Sequence, residues 1–233
     1  GADFQTFAIV IEELSRAFAS TGFTVSATTG LVINPINLFG TEEQKKKYMI
    51  PLCKGQKVGA FALTEPGAGT DAGSIVTTAV LDGDEYVING TKTFISNGPL
   101  ADVFIVIATA DPAKGPKGMS AFIVPKEAGG ISVGKHFKKM GLRASQTSEV
   151  IFKDCRIPKE NLLGEEGKGF RIAMQTLDGG RLGIAAQSVG ILQACLDESI
   201  KYAKERVQFG KPISRNQAIQ WMIVDMDSDL NAA

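Results

Sequence analysis

The decisive stretch of this chain reads Phe61-Ala62-Leu63-Thr64-Glu65-Pro66-Gly67-Ala68-Gly69-Thr70-Asp71. An apolar, β-forming run ends here in a turn that carries hydroxyl and glycine residues. Gly67 and Gly69 have no Cβ, so the backbone can approach a ligand closely. Backbone N–H groups in such a turn bind phosphate oxygens well. Taken alone, the stretch also fits a glycine hairpin without a ligand, because turns of this composition are common.

The same pattern returns in Lys92-Thr93-Phe94-Ile95-Ser96-Asn97-Gly98. Phe94 can cover a planar ring, and Ser96 can form a hydrogen bond with the edge of that ring. By itself this stretch fits an ordinary strand with a core aromatic residue equally well. Together, the two stretches predict a site for a large, flat, phosphate-bearing cofactor on a β-rich wall.

Both stretches, and a third that reads Arg206-Val207-Gln208-Phe209-Gly210-Lys211, closely resemble the acyl-CoA dehydrogenases. The short-chain or butyryl-CoA members of that family are the most similar. The resemblance runs in order through nearly the whole chain, and three motifs are far more specific than one glycine loop. It implies an N-terminal helical domain, a central β domain, a C-terminal helical bundle and FAD as the cofactor.

The composition is that of an ordinary folded protein. Hydrophobic residues make up 44% of the 233 and charged residues 21%, enough for one or two buried cores. The 25 basic and 25 acidic residues cancel, so charge gives no support for a nucleic-acid or membrane-surface partner. No uninterrupted apolar segment is long enough to span a bilayer.

The cysteine and histidine content argues against disulfide and metal chemistry. Cys53, Cys155 and Cys195 are far apart and odd in number, which does not match a disulfide framework or a thiolate zinc site. They fit reduced, packed thiols in a bacterial cytoplasm or a mitochondrial matrix. His136 is the only histidine, so a histidine-rich metal site is excluded, and we expect no metal.

Hydrophobic periodicity divides the chain into three predicted segments, residues 1–56, 57–158 and 159–233. The first is predicted to be helical, because apolar residues recur at three- and four-residue steps in Phe4, Phe7, Ile11, Leu14 and Phe18. Thr41 and Gln44 have the spacing of a capping box, which predicts the start of another helix.

The second segment is predicted to be a β domain. Short β-forming runs alternate with turn residues, and the predicted strands cover residues 58–63, 75–81, 86–92, 103–108, 119–124, 131–135 and 149–153. Many short strands without intervening helices are typical of an antiparallel sandwich or barrel.

The third segment returns to a helical period. One predicted stripe contains Ala185, Val189, Leu192 and Leu196, another contains Ile219, Met222, Ile223 and Met226, and Pro212 separates the two helices. The predicted fold class is therefore α+β, with a helical segment, a central sandwich or barrel and the start of a helical bundle.

The resemblance also implies roles for individual residues. The residues expected to contact FAD are Phe61, Leu63, Thr64, Gly69, Thr70, Phe94, Ile95, Ser96, Arg206, Gln208, Phe209 and Gln217. The residues expected to approach the acyl-CoA are Thr70, Asp178, Gly179, Gly180 and Arg181. Without the resemblance, the paired glycines fit a helix break with a surface arginine, and the stretch from Arg206 to Gly210 fits a helix end.

The implied activity is α,β-dehydrogenation of a short-chain acyl-CoA to a trans-2-enoyl-CoA, with electrons passed to an electron-transfer flavoprotein. The resemblance further implies a homo-oligomer, with a tetramer expected for the full-length protein. Some branches of the family carry the catalytic glutamate just before the arginine, where this chain has Gly180. We therefore expect the base beyond residue 233, a chain truncated at both ends, and a fragment that is inactive alone.

Two alternatives stay open from the sequence. One is a flavin oxidase or monooxygenase of the same superfamily. The other is a scaffold that binds FAD or CoA without turnover.

Overall fold

The computed structural model describes residues 3–233. It divides into two compact units, one of which contains the chain up to Phe23 together with Leu182–Ala233, while the other contains Thr24–Arg181. Helices α1 (Phe4–Thr28) and α5 (Gly169–Glu205) each contribute residues to both units. Helical segments at both ends of the chain and a central sheet confirm the predicted α+β class.

The unit formed by Thr24–Arg181 begins with a run of short helical elements. These are a π-helical turn at Thr29–Ile33, α2 (Asn34–Phe39), α3 (Glu42–Gln44), a second π-helical turn at Lys45–Met49 and α4 (Ile50–Cys53). The predicted capping box is confirmed at α3. Gln44 N–H donates to Thr41 Oγ1 at 3.2 Å, and Thr41 N–H donates to Gln44 Oε1 at 3.0 Å.

The sheet of this unit contains all seven predicted strands and one short addition. The strands are β1 (Gly59–Ala62), β2 (Thr78–Asp82), β3 (Glu85–Ser96), β4 (Val103–Thr109), β5 (Met119–Pro125), β6 (Ile131–His136), β7 (Thr147–Pro158) and β8 (Leu162–Leu163). They are ordered β6-β7-β3-β2-β4-β5-β8, and β1 pairs with β4. β2 begins later than predicted, since the N–H groups of Val76 and Thr77 donate to the Glu65 carboxylate rather than to a neighbouring strand.

The sheet is mainly antiparallel, as predicted, but two of its strand pairs are parallel. β1 runs parallel to β4, with Gly59 opposite Val103. β2 also meets β4 in parallel at Thr78 and Thr109. Parallel neighbours require a long crossover connection, and between β1 and β4 that connection is the β2–β3 hairpin with the turns around it.

β4 is buried along its whole length because its two faces belong to different hydrophobic clusters. Its odd-numbered apolar residues pack with helical side chains such as Ile36 and Ile172. Its even-numbered apolar residues pack with β3 and β7 side chains such as Ile88 and Phe152. The sheet therefore encloses one core within itself and covers a second, helix-lined core.

The other unit is helical, with a small hairpin. Arg16 on α1 binds Asp197 on α5 at 2.6 Å, and Gln187 Nε2 donates to the Ala19 carbonyl at 2.8 Å. Gly190 allows close approach of the two helices, since a Cβ there would lie 2.2 Å from the Glu12 carbonyl oxygen. These contacts hold the two parts of the unit together across a long sequence separation.

Strands β9 (Val207–Gln208) and β10 (Lys211–Pro212) separate α5 from α6 (Gln217–Ala232). The sequence predicted the helix break at Pro212 but not the hairpin. Within residues 3–233, no helix is both long and apolar enough to cross a bilayer. No group of three or more His, Cys, Asp or Glu side chains in that range could share a metal ion.

Candidate functional site

A cavity of about 340 Å³ lies in the unit formed by Thr24–Arg181. Eight residues of the predicted FAD set line it, namely Phe61, Leu63, Thr64, Gly69, Thr70, Phe94, Ile95 and Ser96. Arg181, from the predicted substrate set, lines it as well. The structure thus brings the two sequence stretches to one cleft, and Thr64 and Ser96 share its wall.

The first wall is the turn that follows β1. Glu65 and Ala68 exchange backbone hydrogen bonds of 3.0 and 3.1 Å, which close the turn at its base. Neither Gly67 nor Gly69 has a positive φ, and a Cβ on either would meet no protein atom within 4 Å. Neither conformation nor packing therefore requires glycine at these two positions, and the space above them is open.

The second wall is the end of β3, where the strand is irregular. Its register against β7 shifts between Lys92 and Ile95. Within this bulge Phe94 has φ +55°, a left-handed conformation that is strained for a bulky residue. The residue is 62% exposed, and its ring stacks on Phe137 with ring centroids 4.6 Å apart. The bulge thus turns an aromatic ring out of the sheet, beside the cavity.

A buried ion pair lies behind these two walls. Lys92 Nζ binds Glu65 Oε1 at 2.7 Å and donates to the Leu63 carbonyl at 2.9 Å. The Glu65 carboxylate also accepts from the N–H groups of Val76 and Thr77, at 2.7 and 3.0 Å. Glu65 is thus engaged in the structure of the turn, the role that its position in the sequence favours.

Burial and pairing act in opposite directions on this pair. Desolvation lowers the pKa of Lys92 to about 8, although the charge of Glu65 opposes that shift. Burial alone would raise the pKa of the Glu65 carboxyl, but the charge of Lys92 and the surrounding hydrogen bonds hold that pKa below its usual value. The pair is therefore ionised near neutral pH.

Helical residues complete the cavity, and the sequence did not identify them. They are Ala27 on α1, Leu31 on the first π-helical turn, and Met174 and Leu177 on α5, with Ala72 from the turn after β1. They lie on helical stripes that are read as core positions in a sequence, so periodicity alone does not mark them. Lys92 was missed too, because β3 contains several other polar residues and a lysine among them gives no local sign of burial.

The paired glycines do not break α5, which continues from Gly169 to Glu205. The helix break that these glycines fit by themselves is therefore absent. Gly180 instead permits close packing, because a Cβ on it would lie 2.8 Å from Leu31 Cδ2. Asp178 is exposed and forms an ion pair with Arg181, and neither Asp178 nor Gly179 is among the lining residues.

The remaining predicted cofactor residues lie in the other unit. Arg206 follows α5, Gln208 ends β9, and Gln217 begins α6. Phe209 occupies the hairpin turn with φ +52° and is 98% exposed. A fully exposed aromatic ring on a strained backbone gains nothing from its own chain.

The lining side chains are better suited to bind a planar polar ligand than to act as an acid or a base. Thr64, Thr70 and Ser96 offer hydroxyls, Phe94 offers a ring and Arg181 a positive charge. The lining residues include no carboxylate or histidine. The cavity can therefore bind and orient a ligand, while none of its lining side chains is suited to remove a proton near neutral pH.

Three family profiles cover most of the chain. They are the acyl-CoA dehydrogenase N-terminal domain at residues 1–56, the middle domain at 60–155 and the C-terminal domain at 167–233.

Individual proteins match the entire chain. A short-chain specific acyl-CoA dehydrogenase of Clostridium acetobutylicum is 52% identical over 233 residues, which are 62% of its length. A subunit of the caffeyl-CoA reductase–Etf complex of Acetobacterium woodii is also 52% identical, again over 62% of its length. The structure of butyryl-CoA dehydrogenase from Megasphaera elsdenii superposes on 100% of this chain and 61% of its own, with a TM-score of 0.96 at 49% identity. The chain thus spans about three-fifths of these relatives.

Proposed function

The chain belongs to the acyl-CoA dehydrogenase family, and on that premise we propose that its cavity binds FAD. We further propose that the complete protein dehydrogenates short-chain acyl-CoA thioesters to trans-2-enoyl-CoA. The observation that carries this proposal is the shared cleft, in which Thr64 and Ser96 present hydroxyls beside the exposed ring of Phe94.

The residues present fit the flavin nucleotide. The open space above Gly67 and Gly69 suits close approach of a diphosphate to the backbone. Within residues 3–233, the N–H groups of Gly69 and Thr70 donate to no protein acceptor, so they are free for phosphate oxygens. The hydroxyls of Thr64 and Ser96 suit the polar rim of an isoalloxazine ring.

The protein's part in the proposed reaction is to bind, orient and exclude water. When bound, the flavin supplies the two-electron redox chemistry. Thr64 and Ser96 fix the position of the ring edge, and Phe94 covers the ring against solvent. Thr70 and Arg181 contact the acyl-CoA on the side from which it enters the cleft. A closed, dry cleft strengthens every hydrogen bond to the thioester oxygen, which stabilises negative charge that develops there.

The catalytic base in this proposal is a glutamate outside residues 1–233. The cavity wall offers no carboxylate, and the position before Arg181 is Gly180. The Glu65 carboxylate is occupied by Lys92 and two backbone N–H groups behind the wall.

The assembly and partners belong to the same proposal. Arg206, Gln208, Phe209 and Gln217 contact the FAD of a neighbouring subunit, and the exposed ring of Phe209 supports that role. The three segments 1–56, 57–158 and 159–233 act as domains in a homotetramer. Electrons pass to an electron-transfer flavoprotein, in a bacterial cytoplasm or a mitochondrial matrix.

A second candidate is the same chemistry run as a reduction. The relative from the caffeyl-CoA reductase–Etf complex is as similar as the dehydrogenase from Clostridium acetobutylicum, at 52% identity each. Identity therefore does not separate a saturated short-chain substrate from an aryl-acrylyl thioester.

The test uses the full-length protein purified with its cofactor. Under anaerobic conditions, butyryl-CoA should bleach the visible flavin absorption, and an electron-transfer flavoprotein should restore it. Faster reoxidation of the reduced protein by caffeyl-CoA would favour the reductase, and rapid reoxidation by O₂ would favour an oxidase. A protein that holds FAD but is bleached by no acyl-CoA would leave only the non-catalytic scaffold.

A further inference from the structure

Three hydrogen bonds fasten the two walls of the cavity to each other from behind. Lys92 Nζ reaches the Leu63 carbonyl and the Glu65 carboxylate, at 2.9 and 2.7 Å. Thr93 N–H donates to the Thr64 carbonyl at 2.8 Å. On the first wall, the acceptors belong to Thr64 and to its two neighbours in the chain. On the second wall, the donors belong to Lys92 and Thr93, which directly precede Phe94.

The pair is fully withdrawn from water. The side chains of Lys92 and Glu65 are 0% and 3% exposed. A buried ion pair adds little to the free energy of unfolding, because two well-packed apolar side chains often stabilise a fold equally well. Ions in this position do more to fix geometry, since each hydrogen bond has a required direction and length. All three neighbours of the carboxylate are donors, so only an ionised Glu65 satisfies them.

These three hydrogen bonds lie at the point where β3 is irregular. The register shift begins at Lys92, and Phe94 adopts its left-handed conformation two residues later. A strained conformation persists only where neighbouring contacts over-determine it. Lys92 and Thr93 supply such contacts on the amino-terminal side of Phe94, and they anchor it to the turn that carries Thr64.

We propose that Lys92 and Glu65 form a positioning pair that sets the spacing between Thr64 on one wall and Phe94 and Ser96 on the other, and thereby orients the flavin. This inference rests on the proposed function, because it assigns the pair to the proposed FAD site. Neither residue lines the cavity, so both act through the residues that do.

The experiment compares variants of the full-length holoprotein. Glu65→Gln keeps the shape of the side chain and removes its charge, Lys92→Met removes the partner, and the double variant leaves no unpaired charge. Asn161→Leu is the matched control. Asn161 is also buried, at 4% exposure, and it ties Tyr48 to the Ile123 carbonyl away from the cavity.

Each variant is measured for melting temperature, FAD dissociation constant, flavin absorption and circular dichroism spectrum, and separate kcat and KM values. We expect Glu65→Gln and the double variant to bind FAD at least about tenfold more weakly, with an altered flavin spectrum. We expect kcat to fall about 100-fold, as for a misplacement of about 1 Å. Asn161→Leu should lower the melting temperature and leave the flavin spectrum and the FAD dissociation constant unchanged.

The outcomes distinguish failure of the proposed function from failure of the positioning role. If the wild-type protein binds no FAD, the proposed function fails. If the wild-type protein is bleached by acyl-CoA and any folded variant of the pair keeps the wild-type FAD affinity and spectrum, the positioning role is wrong. If the double variant recovers the melting temperature but not the spectrum, geometry rather than stability is the contribution of the pair.

Discussion

Phe94 and Phe137 stack with an interplanar angle of 27° and ring centroids 4.6 Å apart. Phe94 is the member that lines the cavity, and Phe137 follows β6 on the other side of β7. Stacked aromatic pairs contribute about 0.5–1.5 kcal/mol beyond the area that they bury. Phe137 therefore restricts the ring that we propose to cover the flavin.

Phe137→Ala should weaken FAD binding by about 0.5–1.5 kcal/mol, because the Phe94 ring loses its stacking partner and must be ordered by the cofactor alone. Titration of the apoprotein with FAD, followed by flavin fluorescence, measures the change. Phe137→Tyr keeps the stack and serves as the control. Equal FAD affinity in Phe137→Ala and wild type would show that the pair does not orient Phe94.

Phe209→Asn should stabilise the hairpin and impair the proposed cofactor contact. Phe209 and Gly210 both have positive φ, at +52° and +72°, in a two-residue turn between Gln208 and Lys211. That turn favours Asn-Gly, and a left-handed conformation costs a residue such as Phe about 1–2 kcal/mol. We expect an equal or higher melting temperature for the apoprotein together with weaker FAD binding by the oligomer.

Gly210→Ala is the companion variant for this hairpin. It keeps the Phe209 ring but places a Cβ on a backbone with positive φ, so it should lower the melting temperature. Unchanged FAD affinity in Phe209→Asn would argue that the exposed ring has no part in cofactor binding.

Gly180→Ala should raise the KM for acyl-CoA while it strengthens α5. Alanine is more favourable than glycine in a helix interior by about 1 kcal/mol. The new Cβ would meet Leu31 Cδ2 at 2.8 Å, and the Leu31 side chain would have to move within the wall that it shares with the cavity. Steady-state kinetics with butyryl-CoA measure the effect. Leu31→Ala in the same background removes the contact and should return KM toward the wild-type value.

Lys92 should give the stability of the protein an unusual dependence on alkaline pH. Desolvation lowers its pKa from 10.5 to about 8 in the folded protein. Between these two values the unfolded chain binds a proton that the folded chain does not, so this group favours folding increasingly as pH rises. Below pH 8 the folded protein buries Lys92 in its charged form, and the full free-energy cost of that desolvation is present.

The comparison of wild type with the Glu65→Gln/Lys92→Met double variant isolates that contribution, because Lys92→Met alone would leave the Glu65 carboxylate buried and unpaired. The difference in free energy of unfolding between the two proteins, measured with denaturant from pH 7 to 10.5, should shift in favour of wild type as pH rises above 8. A difference that is independent of pH would mean that Lys92 titrates normally.

Much of the fold could be predicted from patterns within short stretches of the sequence. The seven strands of the central segment were predicted because β-forming runs and turn residues alternate there, and each is present. The Thr41–Gln44 capping box was predicted because it involves residues three apart. The parallel pairing of β1 and β4 was not predicted, since two strands separated by a long connection leave no local trace of their relative direction.

The site likewise contains some residues that could be predicted from the sequence and others that could not. Thr64 and Ser96 were predicted to share a cleft, and both line the cavity. Leu31 and Met174 escaped because a side chain on a helical stripe looks the same whether it faces a core or a cavity. The helix break that the paired glycines fit by themselves is absent, and at Gly180 the lack of a Cβ instead leaves room for Leu31 Cδ2.

The sequence by itself determined the family, the order of helical and β segments and the two stretches that form the cavity walls, because these depend on residue types at short spacing. Only the tertiary structure decided that Lys92 reaches back to Glu65, that Phe94 turns its ring out of the sheet, and that Gly180 accommodates Leu31. Each of these depends on the distance between residues far apart in the chain, which is set by how the sheet curls and the helices pack.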